Sequence, residues 1–551
     1  MHDYNINLKE RLRGFTGAEE YSYTLTVAFC SFVYEMVFSQ LITVIFGGAA
    51  IRYATTIGLY MFFLGIGSFM TSRMGDPEDN FQRLEIYMAL SPLGFIYIIW
   101  ISTLSLGAST SLALSYLPII IVGFFSGMEM PVLTELLGRK GERNVSIGKS
   151  MDKLYDYTVG LVFDIDRDKE STDFSEILGV DYVGSLVGAI AYAIFLYPRL
   201  GLVTTIMIVG ALNAVVAFIF CVRRSQGMKI MIITILLISS YGVGLMFHSQ
   251  INEAVTNSYI SNQIEGEYRN EAAVNVTVDE VKNTKYQQMV LYDREVRGKE
   301  SRCMRLDMAI QMCDRWVESY HNGLVNVPMS MYDNTSNKDV LIIGGGDWIA
   351  IEHLRKYGAD IDHVDIDREF YNYMKDNTKF SKYHNDSYEY EKLDTNSVDI
   401  FEYFSENPSK EYDVILMDVP GLRNHKFLPL YSEEMYTILK NHLTEKGVVV
   451  SWQYSPAWFS QNNQMYLETV REAGFDYKMN YHSYRAKDNS SVGERFIILS
   501  PDKPEMTVEK NNYTSRYWEM YQGKRWYKIR EYDTKTNSLF SPNNNMVIKY
   551  E

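Results

Sequence analysis

The chain has 551 residues, 22% of them charged, and a formal net charge of −15; its mean hydropathy is −0.16. That length exceeds one ordinary domain, so at least two separately packed units are expected. The acidic balance excludes a nucleic-acid surface, whose affinity comes from Lys and Arg displacing counterions, and the mild hydropathy averages two unlike halves, since apolar runs fill 22–247 and charged and amide residues dominate afterwards.

A membrane-crossing helix needs about 20 mostly apolar residues to traverse about 30 Å of hydrocarbon. Seven runs qualify, near 22–47, 51–72, 84–106, 112–137, 179–198, 201–222 and 228–248, and define a multi-span α-helical membrane bundle over 1–248. The first run begins near residue 22 and is followed at once by others, so it is expected to be retained rather than cleaved as a signal peptide. Short connections such as 47–51 and 198–201 imply helical hairpins. Carboxylates within lipid are costly and mark partners, cavities or function; Glu35, Glu129 and Asp181 are the candidates, against an equal reading of each as packing glue or an interfacial acid. Glu129 lies in GMEMP (127–131), where Gly127 and Pro131 are expected to break the helix.

Lys9, Arg11, Arg13, Arg73, Arg83, Arg139, Lys140, Arg143, Lys149, Arg223, Arg224 and Lys229 fall on one side of such a bundle, with Arg52 and Arg199 opposite. The bias places the N-terminus in the cytoplasm and, with seven complete spans, the C-terminal domain outside. Nucleoside chemistry favours the cytoplasm, and one re-entrant segment reconciles the two; the expectation is a multi-pass protein of the cell's inner membrane with a cytoplasmic catalytic domain. Cys30 and Cys221 sit in apolar runs, and Cys303 and Cys313 lack metal-type spacing, so all four read as fillers without a disulfide framework.

Residues 249–283 are polar and read as a linker. Over 284–328, YQQMVLYD and CMRLDMAIQ alternate like strands about a charged turn, suggesting a small β-rich hairpin domain, followed by a helix over 313–325. From 329 to 500 the pattern is that of a doubly wound, Rossmann-like α/β sheet. VLIIGGGD (340–347) is a buried strand entering a glycine turn, and HVDID (363–367) is a second strand bearing its acid about twenty residues on. Further strands fit 413–418, 447–453 and 495–500, with helices near 349–357, 432–443 and 462–473. Gly344, Gly345 and Gly346 allow close backbone approach to a nucleoside, and Asp365 can accept hydrogen bonds from ribose. A GGG turn is also a common tight corner. The spacing is not GxGxxG, and a carboxylate at Asp347 opposes a pyrophosphate at the helix N-terminus, which favours a nucleoside with positive charge such as a sulfonium. Residues 501–551 form an extension that reads equally as lid, interface or tail.

Taken in order, YQ (286–287), LDMAIQ (306–311), SYH (319–321), VLIIGGGD, VDID (364–367) and DVILMD (413–418) resemble the spermidine synthases, the polyamine aminopropyltransferases, over roughly 284–500. FVYEMVFSQ (32–40), GMEMP and DYVGSLVGA (181–189) are similar to the membrane domain fused to some bacterial members. The resemblance implies a methyltransferase-type fold and transfer of an aminopropyl group from decarboxylated S-adenosylmethionine (AdoMet) to an amine, releasing methylthioadenosine without a metal. It implies that Asp347 pairs with the donor's ammonium, Asp365 holds ribose, Asp399 and Ile400 face the adenine, Gln287, Gln311 and His321 line the same pocket, and Asp418 is the base. Asp399 is equally placed to cap the helix IFEYF, and Tyr286 and Tyr320 read as core aromatics.

Departures from the family cluster where the acceptor belongs. Gly421 stands in place of the second acid of DxxD, and Trp316, Val317 and Asn322 replace further polar positions, so a doubly charged diamine loses its carboxylate partners. Trp348 follows GGGD and is expected to narrow or cover the site. These changes suggest an amine other than putrescine, delivered through the membrane domain, with the bilayer as a second partner and a homo-oligomer open. The alternatives are an AdoMet-dependent methyltransferase and a degenerate nucleoside-sensing domain that regulates a transport bundle.

Overall fold

The computed structural model describes residues 18–46, 49–103, 108–139, 169–224, 227–267, 274–296, 298–307, 309–377, 379–422, 425–456, 458–484, 493–514 and 525–547. Two compact units divide the chain, Met1–Glu267 and Tyr268–Glu551. Lys9, Arg11, Arg13, Lys140, Arg143 and Lys149 of the charge pattern lie outside the described residues.

The first unit is helical: α1 (Ala18–Phe46), α2 (Ala49–Thr71), α3 (Pro77–Ala89), α4 (Leu93–Thr103), α5 (Ala108–Ser115), α6 (Leu117–Gly138), α7 (Lys169–Ala191), α8 (Gly201–Arg223), α9 (Met228–Met246) and α10 (His248–Glu267). Five runs are long and apolar enough to cross a membrane, and a bent pair makes up to six. Two differences from the seven expected spans have local causes. The run read as 84–106 is two helices, α3 and α4, bent by 41° near Pro92, whose ring removes a donor and disfavours helix in the residue before it. The runs at 179–198 and 201–222 lie within one apolar stretch, Phe174–Arg223, of 50 residues. At about 1.5 Å per residue this is about 75 Å, twice what one crossing needs. It is interrupted by a π-helical segment, Tyr192–Leu200, containing Pro198, and by Gly201 at φ +74°.

The expected break at GMEMP is absent: α6 runs through Pro131 without interruption. Gly127 serves packing instead, since a Cβ there would lie 2.0 Å from the Leu64 carbonyl oxygen, the close backbone approach that small residues allow between helices. Glu35 and Glu129 are buried, and Asp181 is half-buried.

The described parts of the segment expected as a linker over 249–283 form α10 and the strand β1 (Val274–Asn283). Alternation VNVTV places Val276 and Val278 on a buried face, a signal that the surrounding polar residues masked. Strands β2 (Gln288–Val296), β3 (Lys299–Leu306) and β4 (Ala309–Cys313) complete an antiparallel four-stranded sheet in order β1-β2-β3-β4. Cys303 and Cys313 are opposite one another in β3 and β4 and form a disulfide, so these two are not fillers. The expected helix over 313–325 is the short helix α11 (Val317–His321), continued by a π-helical turn, Asn322–Asn326.

The second sheet has eight strands in the order β12-β10-β11-β9-β8-β5-β6-β7. Its parallel core consists of β5 (Asp339–Gly344), β6 (Asp360–Val364), β7 (Leu393–Asn396), β8 (Tyr412–Asp418) and β9 (Leu443–Trp452). Val340, Leu341, Ile342, Val414, Ile415 and Leu416 are fully buried, as unbroken apolar runs covered by helices on both faces require. Helices α12 (Ile349–Arg355), α13 (Arg368–Asp376), α14 (Ile400–Glu406), α15 (Glu433–Asn441) and α16 (Ser460–Glu472) provide that cover. Strands β10 (Tyr477–Tyr484), β11 (Gly493–Ser500) and β12 (Tyr527–Lys528) extend one edge antiparallel. Chain order reverses between β5 and β8, the position at which doubly wound sheets open a crevice.

The described part of the C-terminal extension is an integral part of this unit. Asn537 donates to the carbonyl oxygens of Leu428 and Tyr431 at 2.8 and 3.0 Å, Tyr454 donates to Met546 O at 2.7 Å, and Met546 is fully buried.

Candidate active site

A cavity of about 490 Å³ opens at the carboxyl ends of β5, β6 and β8, a volume that suits a nucleoside-sized ligand. All expected donor-side residues line it: Gln287, Gln311, His321, Gly344, Gly345, Gly346, Asp347, Asp365, Asp399, Ile400 and Asp418. Glu35, Glu129 and Asp181 belong to the helical unit.

The glycine turn is shaped by lack of room. Gly344 and Gly345 have φ of +80° and +74°, the left-handed region that glycine enters without penalty. A Cβ on Gly344 would lie 2.3 Å from the Asp418 carbonyl oxygen, one on Gly345 3.0 Å from Asp418 Oδ2, and one on Gly346 2.8 Å from Asp365 Oδ2. Beyond the turn, Asp347 Oδ1 accepts from Ile349 N at 3.0 Å, leaving its other oxygen toward the cavity.

That oxygen, Asp347 Oδ2, is 3.7 Å from His321 Nε2, and Asp418 Oδ2 is 3.8 Å from the same nitrogen. The imidazole is fixed by Nδ1, which donates to the Val317 carbonyl oxygen at 2.8 Å. Asp418 Oδ1 accepts from the Tyr320 hydroxyl at 3.0 Å, so Tyr320, read as a core aromatic, both packs against the core and lines the cavity. Burial pushes the Asp418 carboxyl up to about 6, with His321 opposing and Asp347 adding to the shift. The three side chains form a compact set of the kind that also suits a cation; two carboxylates around one imidazole favour positive charge at their centre.

The β6 side of the cavity carries further acids. Asp365 Oδ1 accepts from Asp367 N at 2.8 Å, and burial raises its carboxyl to about 7, which a polar ligand accepting and donating at that carboxyl relieves. Gln287 Nε2 donates to Asp367 Oδ2 at 2.9 Å and Thr284 to the same oxygen at 2.6 Å, tying the small sheet to the β6 end. Asp399 caps α14, its Oδ1 accepting from Phe401 N at 2.9 Å, and it also lines the cavity.

Trp348 does not cover the site. It occupies a left-handed conformation, φ +68°, which turns the indole into the core, where it is 4% exposed and donates to Tyr371 O at 2.8 Å. Asn322 likewise is buried and donates to Tyr513 O at 3.1 Å. The cavity is lined also by Tyr286, Trp316, Val317, Gly421, Trp452 and Glu494. Glu494 was not legible as a lining residue because it lies in β11, some seventy residues after Asp418, where it and Arg495 form a charged start to an apolar run. Its Oε2 accepts from Trp452 Nε1 at 3.3 Å, and a Cβ on Gly421 would touch the Trp452 ring at 3.3 Å. The segment His425–Tyr431 brings Lys426 over the rim, paired with Asp307.

Residues 317–507 match the family described as the spermine/spermidine synthase domain. A polyamine aminopropyltransferase of Oceanobacillus iheyensis is 24% identical over 503 residues, 89% of this chain and 87% of its own length. One from Leptospira interrogans is 25% identical over 498 residues, 88% of each. A crystal structure of spermidine synthase from Thermotoga maritima aligns with 41% of this chain and 72% of its own at 20% identity, with a TM-score of 0.34. The chain is a spermidine synthase-like protein, with a spermine/spermidine synthase domain at residues 317–507.

Proposed function

We propose that this chain is an aminopropyltransferase that uses decarboxylated AdoMet as donor, with Asp418 as the base. The observation that carries the reading is the pair of carboxylates, Asp347 and Asp418, that flank His321 at the strand-end crevice. The acceptor amine, a cation near pKa ~10, is a non-nucleophile until it loses a proton. Asp418 takes that proton while Tyr320 holds its other oxygen. The amine nitrogen bonds to the propyl carbon beside sulfur, the carbon–sulfur bond breaks with its electron pair going to sulfur, and the sulfonium leaves as the neutral thioether methylthioadenosine. Asp347 holds the donor's ammonium, Asp365 the ribose, and Asp399 with Ile400 the adenine edge. No step calls for a metal.

Intact AdoMet carries a carboxylate that Asp347 would face, which disfavours the methyltransferase reading. Calorimetry with both donors tests this: tighter binding of AdoMet than of its decarboxylated form would sink the aminopropyl reading.

The acceptor is an amine other than putrescine. Trp316, Val317 and Gly421 leave its side of the pocket largely apolar, and Glu494 is a single carboxylate already holding an indole N–H. Turnover of butylamine within tenfold of putrescine is expected; a larger preference for putrescine would refute it.

The helical unit spans the cell membrane and brings amine to the bilayer-attached enzyme. Its apolar runs support this reading. Sidedness rests on opposed features: donor chemistry favours the cytoplasm, whereas the Cys303–Cys313 disulfide favours the oxidising side. Labelling of a single cysteine introduced at exposed Trp458, in intact cells with a membrane-impermeant maleimide, decides between them.

A further inference from the structure

We propose that the helical unit holds a binding site for a small protonated amine, formed by Glu85, Glu129 and Asn213 at one level of four helices. Helices α3 and α8 run antiparallel: Phe81 packs on Phe220 with ring centroids 4.8 Å apart, Gln82 Nε2 donates to Ala217 O at 3.0 Å, and a Cβ on Gly210 would lie 2.6 Å from Pro92. Glu85, one turn beyond Gln82, therefore faces Asn213, one turn before Ala217. Helix α1 meets the same level, since Tyr34 donates to Met88 O at 2.9 Å and Cys30 Sγ lies 3.9 Å from Val209 O. Ser31, next to Cys30, donates to Glu129 Oε2 of α6 at 3.4 Å.

Glu85 and Asn213 are fully buried and Glu129 is 2% exposed. Both carboxylate oxygens of Glu85, Oε1 of Glu129 and both amide atoms of Asn213 have no hydrogen-bond partner among the described residues. A folded interior seldom leaves such groups unpaired, because each gives up its hydration without a replacement. Asn213 is the independent sign of a ligand: acids alone can lie protonated, but an amide cannot be silenced by a proton. An ammonium has three donors and no acceptor, matching two carboxylates and the amide oxygen. A divalent ion wants six or more oxygens, more than two carboxylates and one amide supply, whereas the Tyr34 ring of α1 at this level suits an alkyl body.

The test is calorimetry of butylammonium chloride against the full-length chain in lipid nanodiscs, with sodium chloride as the control, in wild type, Glu85→Gln, Glu129→Gln, Asn213→Leu and Glu494→Gln. The expected result is a binding component weakened at least tenfold by each of the first three substitutions and retained in Glu494→Gln. The Gln variants keep side-chain shape and remove buried charge, so their melting temperatures are expected at or above wild type. Loss of the component in Glu494→Gln alone would assign it to the transfer pocket and overturn the site. Sodium binding as tightly as the amine, or no component at all, would overturn it equally. Because transfer activity is read separately, failure here is distinguishable from failure of the aminopropyltransferase reading.

Discussion

Asp418→Asn separates the electrostatic and chemical duties of that residue. The amide preserves the oxygen that accepts from Tyr320 at 3.0 Å and removes a side chain that is 10% exposed and pushed from 3.8 to about 6 by burial. The sign follows from the direction of the shift. Between pH 4 and 6 the unfolded chain gives up this proton while the folded chain keeps it, so stability is lost as pH rises; above 6 both forms are ionised and wild type carries the full cost. The difference amounts to about 3 kcal/mol at about 1.4 kcal/mol per factor of ten. Melting temperatures of the unliganded chains should thus diverge from pH 4 to pH 8 with Asp418→Asn gaining, while kcat falls by about 10²–10⁴ and donor binding is kept. Wild-type kcat/KM should rise through an acid limb near pH 6, as the free base form appears. A stability difference independent of pH, or full turnover in Asp418→Asn, would refute the assignment.

Glu494→Gln should raise KM for the amine by about tenfold with kcat within about threefold, since it removes a charge from binding rather than from proton transfer; an equal loss in kcat would place Glu494 in the chemistry. Gly421→Asp should not restore diamine use, because the new Cβ meets the Trp452 ring at 3.3 Å and disturbs the indole held by Glu494; a gain in putrescine kcat/KM would show that Trp452 yields. Gly344→Ala should cost above about 3 kcal/mol in a denaturant melt, combining a positive φ with a carbonyl clash; a loss under 1 kcal/mol would show that the turn relaxes.

The parallel core was legible because its signals are local: VLIIGGGD and DVILMD are unbroken apolar strands that end in a turn or an acid. The same is true of the cavity residues at strand ends, Gly344, Asp365 and Asp418, whereas His321 and Asp399 reach the cavity from helices. What escaped depended on direction or on distant contacts. Trp348 follows the glycines directly, but one left-handed residue sends its indole inward. Glu494 and Trp452 meet through antiparallel pairing of β9 with β11, which no local spacing announces. Glu85 lay at the start of a run read as one span, whereas Pro92 ends its helix and lets it face α8. Val276 and Val278 were too few in a polar stretch to mark β1.

The three glycines of the turn have a consequence for how such a site can change. The places their β-carbons would fill are already taken, two by Asp418 and one by Asp365, so the absence of side chains on one strand and the presence of acids on its neighbours are a single shape divided among three segments. Beside Gly346 the Phe370 ring crowds the same place as Asp365, and Gly344 and Gly345 hold a positive φ that disfavours any side chain whatever Asp418 does. The turn is therefore guarded twice, by its own backbone and by the segments that face it, and the loss of one acid does not by itself open it to replacement.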